Sequence, residues 1–206
     1  MASLPACASH FPEAEALRII SGHWRGRAII APEGQATRPT ADRVREALFS
    51  MLASRLGSFE GLRIFDGFAG TGALGLEALS RGASHGTFVE NDPAAIKVLR
   101  ANIAGMKFDA NVIAAPMEAL GAPFAPCQLL MLDPPYASGL AETALARLAE
   151  RGWIAPHALI SVETGKKDTL ATDFEVLAMR DHGKARLHLL RAPPRPSAPA
   201  CRDTSR

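Results

Sequence analysis

From Leu62 onward the chain alternates between two patterns. Short apolar runs at 62–66, 86–90, 111–115, 128–132 and 158–163 read as strands buried on both faces. Stretches with apolar positions at helical spacing separate them: a helix over 73–81 stopped by Gly82, one opened by Asp92 and Pro93 and ended by Gly105, and one over 140–151 stopped by Gly152. Segment 116–126 fits neither pattern. Two last strands, 174–180 and 185–191, flank the turn signal Asp181-His182-Gly183-Lys184. Repeated βα units that end in a hairpin predict an α/β fold: a seven-stranded, mostly parallel, doubly wound sheet with an antiparallel terminal hairpin.

Ahead of this unit, Leu17–Ile20 and Arg27–Ala31 are strand-like runs joined by Ser21-Gly22-His23-Trp24-Arg25-Gly26, the pattern of a small hairpin. A helix follows, with Thr40 as its expected N-cap and Val44, Ala47, Leu48, Met51 and Leu52 as its apolar stripe; Arg43 and Glu46 fall off that stripe. The expected organisation is a disordered tail at 1–16, a hairpin-and-helix extension at 17–56, the main domain at 57–191 and a disordered Pro-rich tail at 192–206.

The chemistry concentrates at two loops. The apolar run 129–132 delivers Asp133-Pro134-Pro135-Tyr136. The two prolines stiffen the turn and donate no N–H, so the Asp133 carboxylate and the Pro134 carbonyl both face outward as acceptors. A planar exocyclic amine on a nucleobase satisfies both, and the Tyr136 ring offers a stacking face. The second loop, Asp66-Gly67-Phe68-Ala69-Gly70-Thr71-Gly72-Ala73-Leu74-Gly75, closes the first core strand and opens a helix. Its Gly70-x-Gly72-x-x-Gly75 also fits a dinucleotide-binding fingerprint, with Glu90 placed to bind ribose hydroxyls, so a nicotinamide-dependent oxidoreductase competes. Against it, Asp66 would repel a pyrophosphate and attract an ammonium, and Asp133–Tyr136 has no task in hydride transfer. The ligand that suits both carboxylates is S-adenosylmethionine, with Asp66 near its methionine end and Glu90 on its ribose. Asp66, Phe68, Ala69, Gly70, Thr71, Gly72, Glu90, Asn91, Met117 and Asp133 are the candidate cofactor contacts, and Asp133, Pro134, Pro135 and Tyr136 the candidate catalytic set.

Composition adds little until charge is mapped. The 206 residues carry a net charge of only +2, yet six arginines between residues 18 and 45 against Glu33 and Asp42 make that stretch +4. Seven basic residues against Asp181 and Asp203 make residues 180–206 +5. Two basic ends point to a polyanionic partner. No apolar stretch reaches the roughly 20 residues of a membrane helix and no signal peptide is evident, so a cytoplasmic protein with no membrane partner is expected. Cys7, Cys127 and Cys201 are few, widely spaced and without metal-ligand spacing, the pattern of free thiols.

These residues resemble a known family, the bacterial 16S ribosomal RNA guanine-N2 methyltransferases of the RsmD type. The likeness spans roughly residues 17–191 and rests on Leu17–Arg27, on Thr37-Arg38-Pro39-Thr40-Ala41-Asp42-Arg43-Val44-Arg45-Glu46-Ala47-Leu48-Phe49, on Asp66–Ala83, on Val89–Asp92 and on Asp133–Tyr136. The glycine loop and Asp-Pro-Pro-Tyr mark amino-methyltransferases in general, and the Arg38–Phe49 segment narrows the choice. The resemblance implies a Rossmann-like class I methyltransferase fold with a short N-terminal hairpin. It also implies methylation of guanine N2 in 16S rRNA within the 30S subunit or its assembly intermediate. Under that reading Arg25, Arg27, Arg38, Arg43 and Arg45 are candidate phosphate contacts, and Arg38 and Thr40 could close over the cofactor or the target base. Two departures stand out: Gly67 replaces an apolar residue, which suggests a looser loop, and Ala114–Glu118 lacks the acid that holds the adenine amine, leaving Met117 to pack on the ring. A monomer is expected. The rivals are adenine-N6 methylation of RNA or DNA through the same quartet, the oxidoreductase, and a non-catalytic ribosome-binding module.

Overall fold

The computed structural model describes residues 17–32 and 39–194, with side chains in the first helix from Asp42 onward. Helix α1 (Pro39–Leu56) leads into β1 (Arg63–Gly67), α2 (Ala73–Ser80), β2 (His85–Glu90), α3 (Pro93–Met106) and β3 (Ala110–Ala114). After a 3-10 turn at Met117–Ala119 come β4 (Cys127–Leu132), α4 (Leu140–Glu150), β5 (Ile154–Gly165), β6 (Glu175–His182) and β7 (Ala185–Arg191). The seven strands form one sheet in the order β3-β2-β1-β4-β5-β7-β6. The first five strands are parallel, and β7 runs antiparallel between β5 and β6. The expected terminal hairpin is therefore present, but its second strand inserts into the sheet and leaves β6 at the edge.

Strand alternation divides the core. Ile64, Leu129 and Met131 pack with α1, α2 and α3 on one face, and Phe65, Leu130 and Leu132 pack with α4 on the other. Several boundaries move. β5 begins at Ile154, four residues before the expected start, and α3 continues past Gly105 to be capped by Lys107 at φ 55°. α1 begins at Pro39, ahead of the residue expected to cap it, which suits proline at a first helical position. Ala192 is buried and donates its N–H to Ala158 O, so pairing runs past residue 191 into the expected tail. Residues 1–16 and 195–206, with Cys7 and Cys201, lie outside the described residues. Cys127 is free and buried, and burial pushes its thiol up to about 11, which leaves it inert at neutral pH.

The N-terminal segment is a narrow hairpin, with one isolated bridge between Arg18 and Ala28 and backbone bonds from Ile19 N to Arg27 O and from Ile29 N to Leu17 O. Polar side chains of the main domain hold it. The buried Glu77 carboxylate on α2 accepts from Ile20 N (2.7 Å) and Ser21 N (3.0 Å) and pairs with Arg81, whose guanidinium lies over the Phe49 ring at 4.7 Å. Ser80 Oγ accepts from Trp24 N and donates to Ser21 O. Asn102 on α3 accepts from Ile30 N (2.8 Å) and donates to both Ile30 O and Thr71 O (3.0 Å each). Gly22, at φ 85°, lies so close to α2 that a Cβ would sit 1.9 Å from Ser80 O. Trp24 packs edge-on against Phe108 with its centroid 6.3 Å away.

Candidate active site

The chain reverses its direction of winding between β1 and β4, and in doubly wound sheets ligands bind in the crevice at that point. The register places a row of carboxylates there. Asp66 pairs with Phe88 and Met131, and Met131 with Ser161, so Glu90, Asp133 and Glu163 each lie two residues further along their own strands or just beyond them. A step of two keeps the same face. Glu90, Asp66, Asp133 and Glu163 thus follow β2, β1, β4 and β5 along one edge, on the side of α1 to α3.

Each carboxylate is held differently. Glu90 Oε2 accepts from Gly70 N (2.7 Å), and Oε1 accepts from Asn91 N (2.8 Å) and Asp92 N (2.9 Å), so this side chain fixes the glycine loop and keeps one acceptor direction open. Asp66 is buried and accepts from Gly75 N at 2.8 Å. Burial holds its carboxyl well above the usual range; the Gly75 N–H works against that, and Asp133 and Glu90 add to it. Asp133 is exposed to the cleft, while protein atoms crowd the surroundings of its carboxyl. Loss of bulk water, and then the charge of Glu163, push it up to about 7. Tyr136 O–H donates to Glu163 Oε1 at 2.6 Å, and desolvation together with that bond raises the phenol.

Three neighbouring spaces with shared lining residues adjoin the row. A chamber of about 150 Å3 lies among Phe68, Glu90, Asn91 and Met117. A cleft of about 410 Å3 is bounded by Phe68, Glu90 and Asn91 on one side and Asp133, Pro134, Pro135 and Tyr136 on the other. A cavity of about 550 Å3 lies beyond, between Asp133, Tyr136 and Glu163, the face of α1 (Val44, Arg45, Leu48) and the β6–β7 turn (His182–Ala185). Asp133 and Tyr136 line both of the larger spaces. Of the expected residues, Phe68, Glu90, Asn91, Met117 and Asp133 and the whole set Asp133–Tyr136 line these spaces, whereas Asp66, Ala69, Gly70, Thr71 and Gly72 do not.

Other expected cofactor contacts act on the loop's shape. Phe68 takes φ 61°, Ala69 N donates to Val89 O, Gly72 caps α2 at φ 83°, and Thr71 contributes its carbonyl to Asn102. Gly67 does not loosen the loop, because Leu132, Phe65 and Met117 fill the place of the missing side chain, with Leu132 Cδ2 2.7 Å from where a Cβ would be. Met117 is buried, and the exposed Glu118 lies beside the same chamber.

The basic candidates divide. Arg25, Arg27 and Arg43 are exposed on the extension and α1, and Arg27 lies over the Trp24 ring. Arg45 is corrected: it is only 5 % exposed and donates to Arg18 O (2.6 Å), with Asp42 at 3.1 Å, so it braces the cavity wall instead of meeting a phosphate. Arg38 and the Thr40 side chain lie outside the description. Sequence reasoning missed Glu163 and Asp168. Glu163 had a signal, since it closes an apolar run and parallel strand ends share an edge. Asp168 had none. Its Oδ2 accepts from Gly165 N and Ala137 N (3.0 Å each), tying the loop after Tyr136, where Ala137 sits at φ 54°, to the end of β5. Asp168→Ala should free that loop, lowering kcat about tenfold or more while donor affinity stays within twofold, as read by steady-state kinetics and calorimetry.

A sheet of this order, with its glycine loop and its carboxylate row, is the fold of a class I methyltransferase. At 18% identity the likeness to the Pyrococcus abyssi tRNA (uracil-54, C5)-methyltransferase in complex with S-adenosyl-L-homocysteine is one of fold alone (TM-score 0.54, covering 72% of this chain and 38% of that one). The chain belongs to the family described as conserved hypothetical protein 95, the RsmD family, which matches residues 17–191. It is 42% identical over 158 residues to the ribosomal RNA small subunit methyltransferase D of Escherichia coli K12, covering 76% of this chain and 78% of that protein. It is 41% identical over 162 residues to the protein of the same name from Haemophilus influenzae, covering 76% and 82%. The solved Escherichia coli protein yhhF superposes with a TM-score of 0.76 at 37% identity, over 87% of this chain and 99% of that one. The oxidoreductase reading of the glycine loop falls with these findings. No helix among the described residues is long and apolar enough to cross a membrane.

Proposed function

We propose that this protein transfers a methyl group from S-adenosylmethionine to the exocyclic N2 of a guanine in 16S ribosomal RNA, within the small subunit or its assembly intermediate. The observation that carries the reading is the shared lining: Asp133 and Tyr136 border both the cleft that reaches the glycine loop and the larger cavity beyond. The donor fits the residues present. The acidic side chains that border the cleft, Glu90 and Asp133, favour a ligand carrying positive charge, Glu90 keeps an acceptor for a ribose hydroxyl, and Met117 with Phe68 lines a chamber suited to a purine. The names of the curated relatives support ribosomal RNA as acceptor.

S-adenosylmethionine supplies an electrophilic methyl, and as nitrogen bonds to it the carbon–sulfur bond breaks with the electron pair left on sulfur. The protein's part is to make the amine ready. A guanine N2 lone pair is delocalised into the ring. Ionised Asp133 and the Pro134 carbonyl accept its two hydrogens, which favours a tetrahedral nitrogen and gives the departing proton a destination. Pro134 and Pro135 hold that geometry without a donor that could compete, and the half-exposed Tyr136 ring receives the unstacked base.

Asp133 must be ionised to accept, so kcat/KM for the RNA measured at low donor concentration should rise with pH across about 7. With donor saturating, its positive charge favours the carboxylate and the rise should move to lower pH. A flat profile between pH 5.5 and 8.5 in both experiments would contradict the role. The identity of the reaction is tested with labelled donor and small subunits from a strain lacking the modification, followed by nucleoside analysis. N2-methylguanosine is expected; N6-methyladenosine, or label in protein alone, overturns the reading.

A further inference from the structure

We propose that Glu163 selects guanine over adenine at the acceptor site, its carboxylate taking the ring N1–H while Asp133 and the Pro134 carbonyl hold the adjoining N2 amine. This deepens the methyl-transfer reading and rests on it. Leu132 pairs with Val162, so the next residues, Asp133 and Glu163, stand side by side on the same face of adjacent parallel strands. Both line the cavity of about 550 Å3, which is roomy enough for an extruded base. The Tyr136 hydroxyl fixes Glu163 through Oε1, and Oε2 has no hydrogen-bond partner among the described residues. Two neighbouring acceptors therefore face one volume.

Guanine presents two neighbouring donors on its Watson–Crick edge, N1–H and the N2 amine. Adenine presents an amine beside a bare N1 lone pair. A carboxylate turned toward that lone pair gains no hydrogen bond and suffers repulsion, and sites built to bind a donor reject ligands that lack it. Donors follow along the same edge. Gly165 pairs with Ala185, so the β6–β7 turn lies next to the end of β5; Lys184 and His182 of that turn line the same cavity, and His182 Nε2 is enclosed with no partner among the described residues. An acceptor-to-donor progression along this edge complements guanine, whose edge continues to the O6 acceptor.

The test holds the reacting nitrogen constant. Small subunits are reconstituted with 16S RNA carrying either guanosine or 2-aminopurine at the methylated nucleotide; 2-aminopurine keeps the N2 amine but has a bare N1. Wild-type kcat/KM should be at least about 100-fold lower on 2-aminopurine. In Glu163→Gln, Tyr136 holds the amide oxygen and turns the NH2 toward N1, so the guanosine-to-2-aminopurine ratio should fall by about 100-fold or more. Glu163→Ala, which removes the acceptor without adding a donor, should also lower the ratio from the wild-type value, to the level that the missing O6 alone leaves. The missing O6 is common to all three enzymes and cancels in the comparison. Equal wild-type rates on both acceptors would overturn the proposal and leave methyl transfer to guanine N2 standing. So would a Glu163→Gln or Glu163→Ala enzyme that loses both activities by the same factor. A wild-type enzyme that leaves the guanosine particle unmethylated defeats the underlying reading instead.

Discussion

Asp133→Ala should lower turnover by about 1000-fold while donor affinity, measured by calorimetry, changes less than threefold. The asymmetry follows from position. Asp133 borders the cleft on the side away from the glycine loop's Phe68, whereas Glu90, the residue proposed to bind the ribose, is the one that holds Gly70 N. Asp133→Asn should be almost as inactive, because its amide brings a donor to an amine that needs acceptors. It should nonetheless be more stable than the wild type at pH 8. In the fold Asp133 titrates at about 7, above its ordinary 3.8. The stability gained from its easier protonation is complete below pH 4 and lost as pH rises through 7. The advantage of asparagine should therefore grow between pH 4 and 7 and level off above. Thermal melts across that range check it; a stability gain that ignores pH would mean that Asp133 is not ionised against resistance.

Glu77→Ala should produce the largest loss of stability. The carboxylate is fully enclosed, and four donors converge on it: Ile20 N, Ser21 N, and Nε and Nη2 of Arg81. Removing it strands two backbone N–H groups and a guanidinium that is only 17% exposed and lies over Phe49 and Phe59. Breaking one side of a buried pair costs about 3–5 kcal/mol, which for a domain of this size is a fall in Tm of roughly 10 °C. Glu77→Gln keeps one acceptor and should fall between. Urea midpoints at unchanged slope measure the difference, and a loss under about 1 kcal/mol would mean that the extension is held mainly by its apolar side chains.

Much of this architecture is legible in the chain, for identifiable reasons. The strands of the parallel sheet are short apolar runs closed by glycine, proline or an acidic cap, so β1, β2 and β4 lie within a residue or two of their expected places. The candidate site is legible because chemistry gathers at strand ends: Asp66, Glu90 and Asp133 each end an apolar run. What sequence spacing does not reveal depends on contacts between distant segments. Arg45 stands next to the apolar stripe of α1 and reads as a surface charge, but Arg18 O and Asp42 draw it inside. Glu77 lies in the first glycine-loop helix and looks like an ordinary helical acid until residues 20 and 21 lay their amides on it. β7 enters the middle of an edge pair, which no local pattern announces. Glu163 is recognisable as a strand terminus, but its partnership with Tyr136 requires the register between β4 and β5.

Asn102 has one further consequence. Its side chain holds Ile30 at both N–H and C=O and, through the same nitrogen, the carbonyl of Thr71. Peeling the N-terminal segment away thus removes a support of the glycine loop, and neither piece can fray without loosening the other. In amide exchange, the segment that carries Arg25 and the loop that ends in Gly72 should therefore open together, as a single breathing unit.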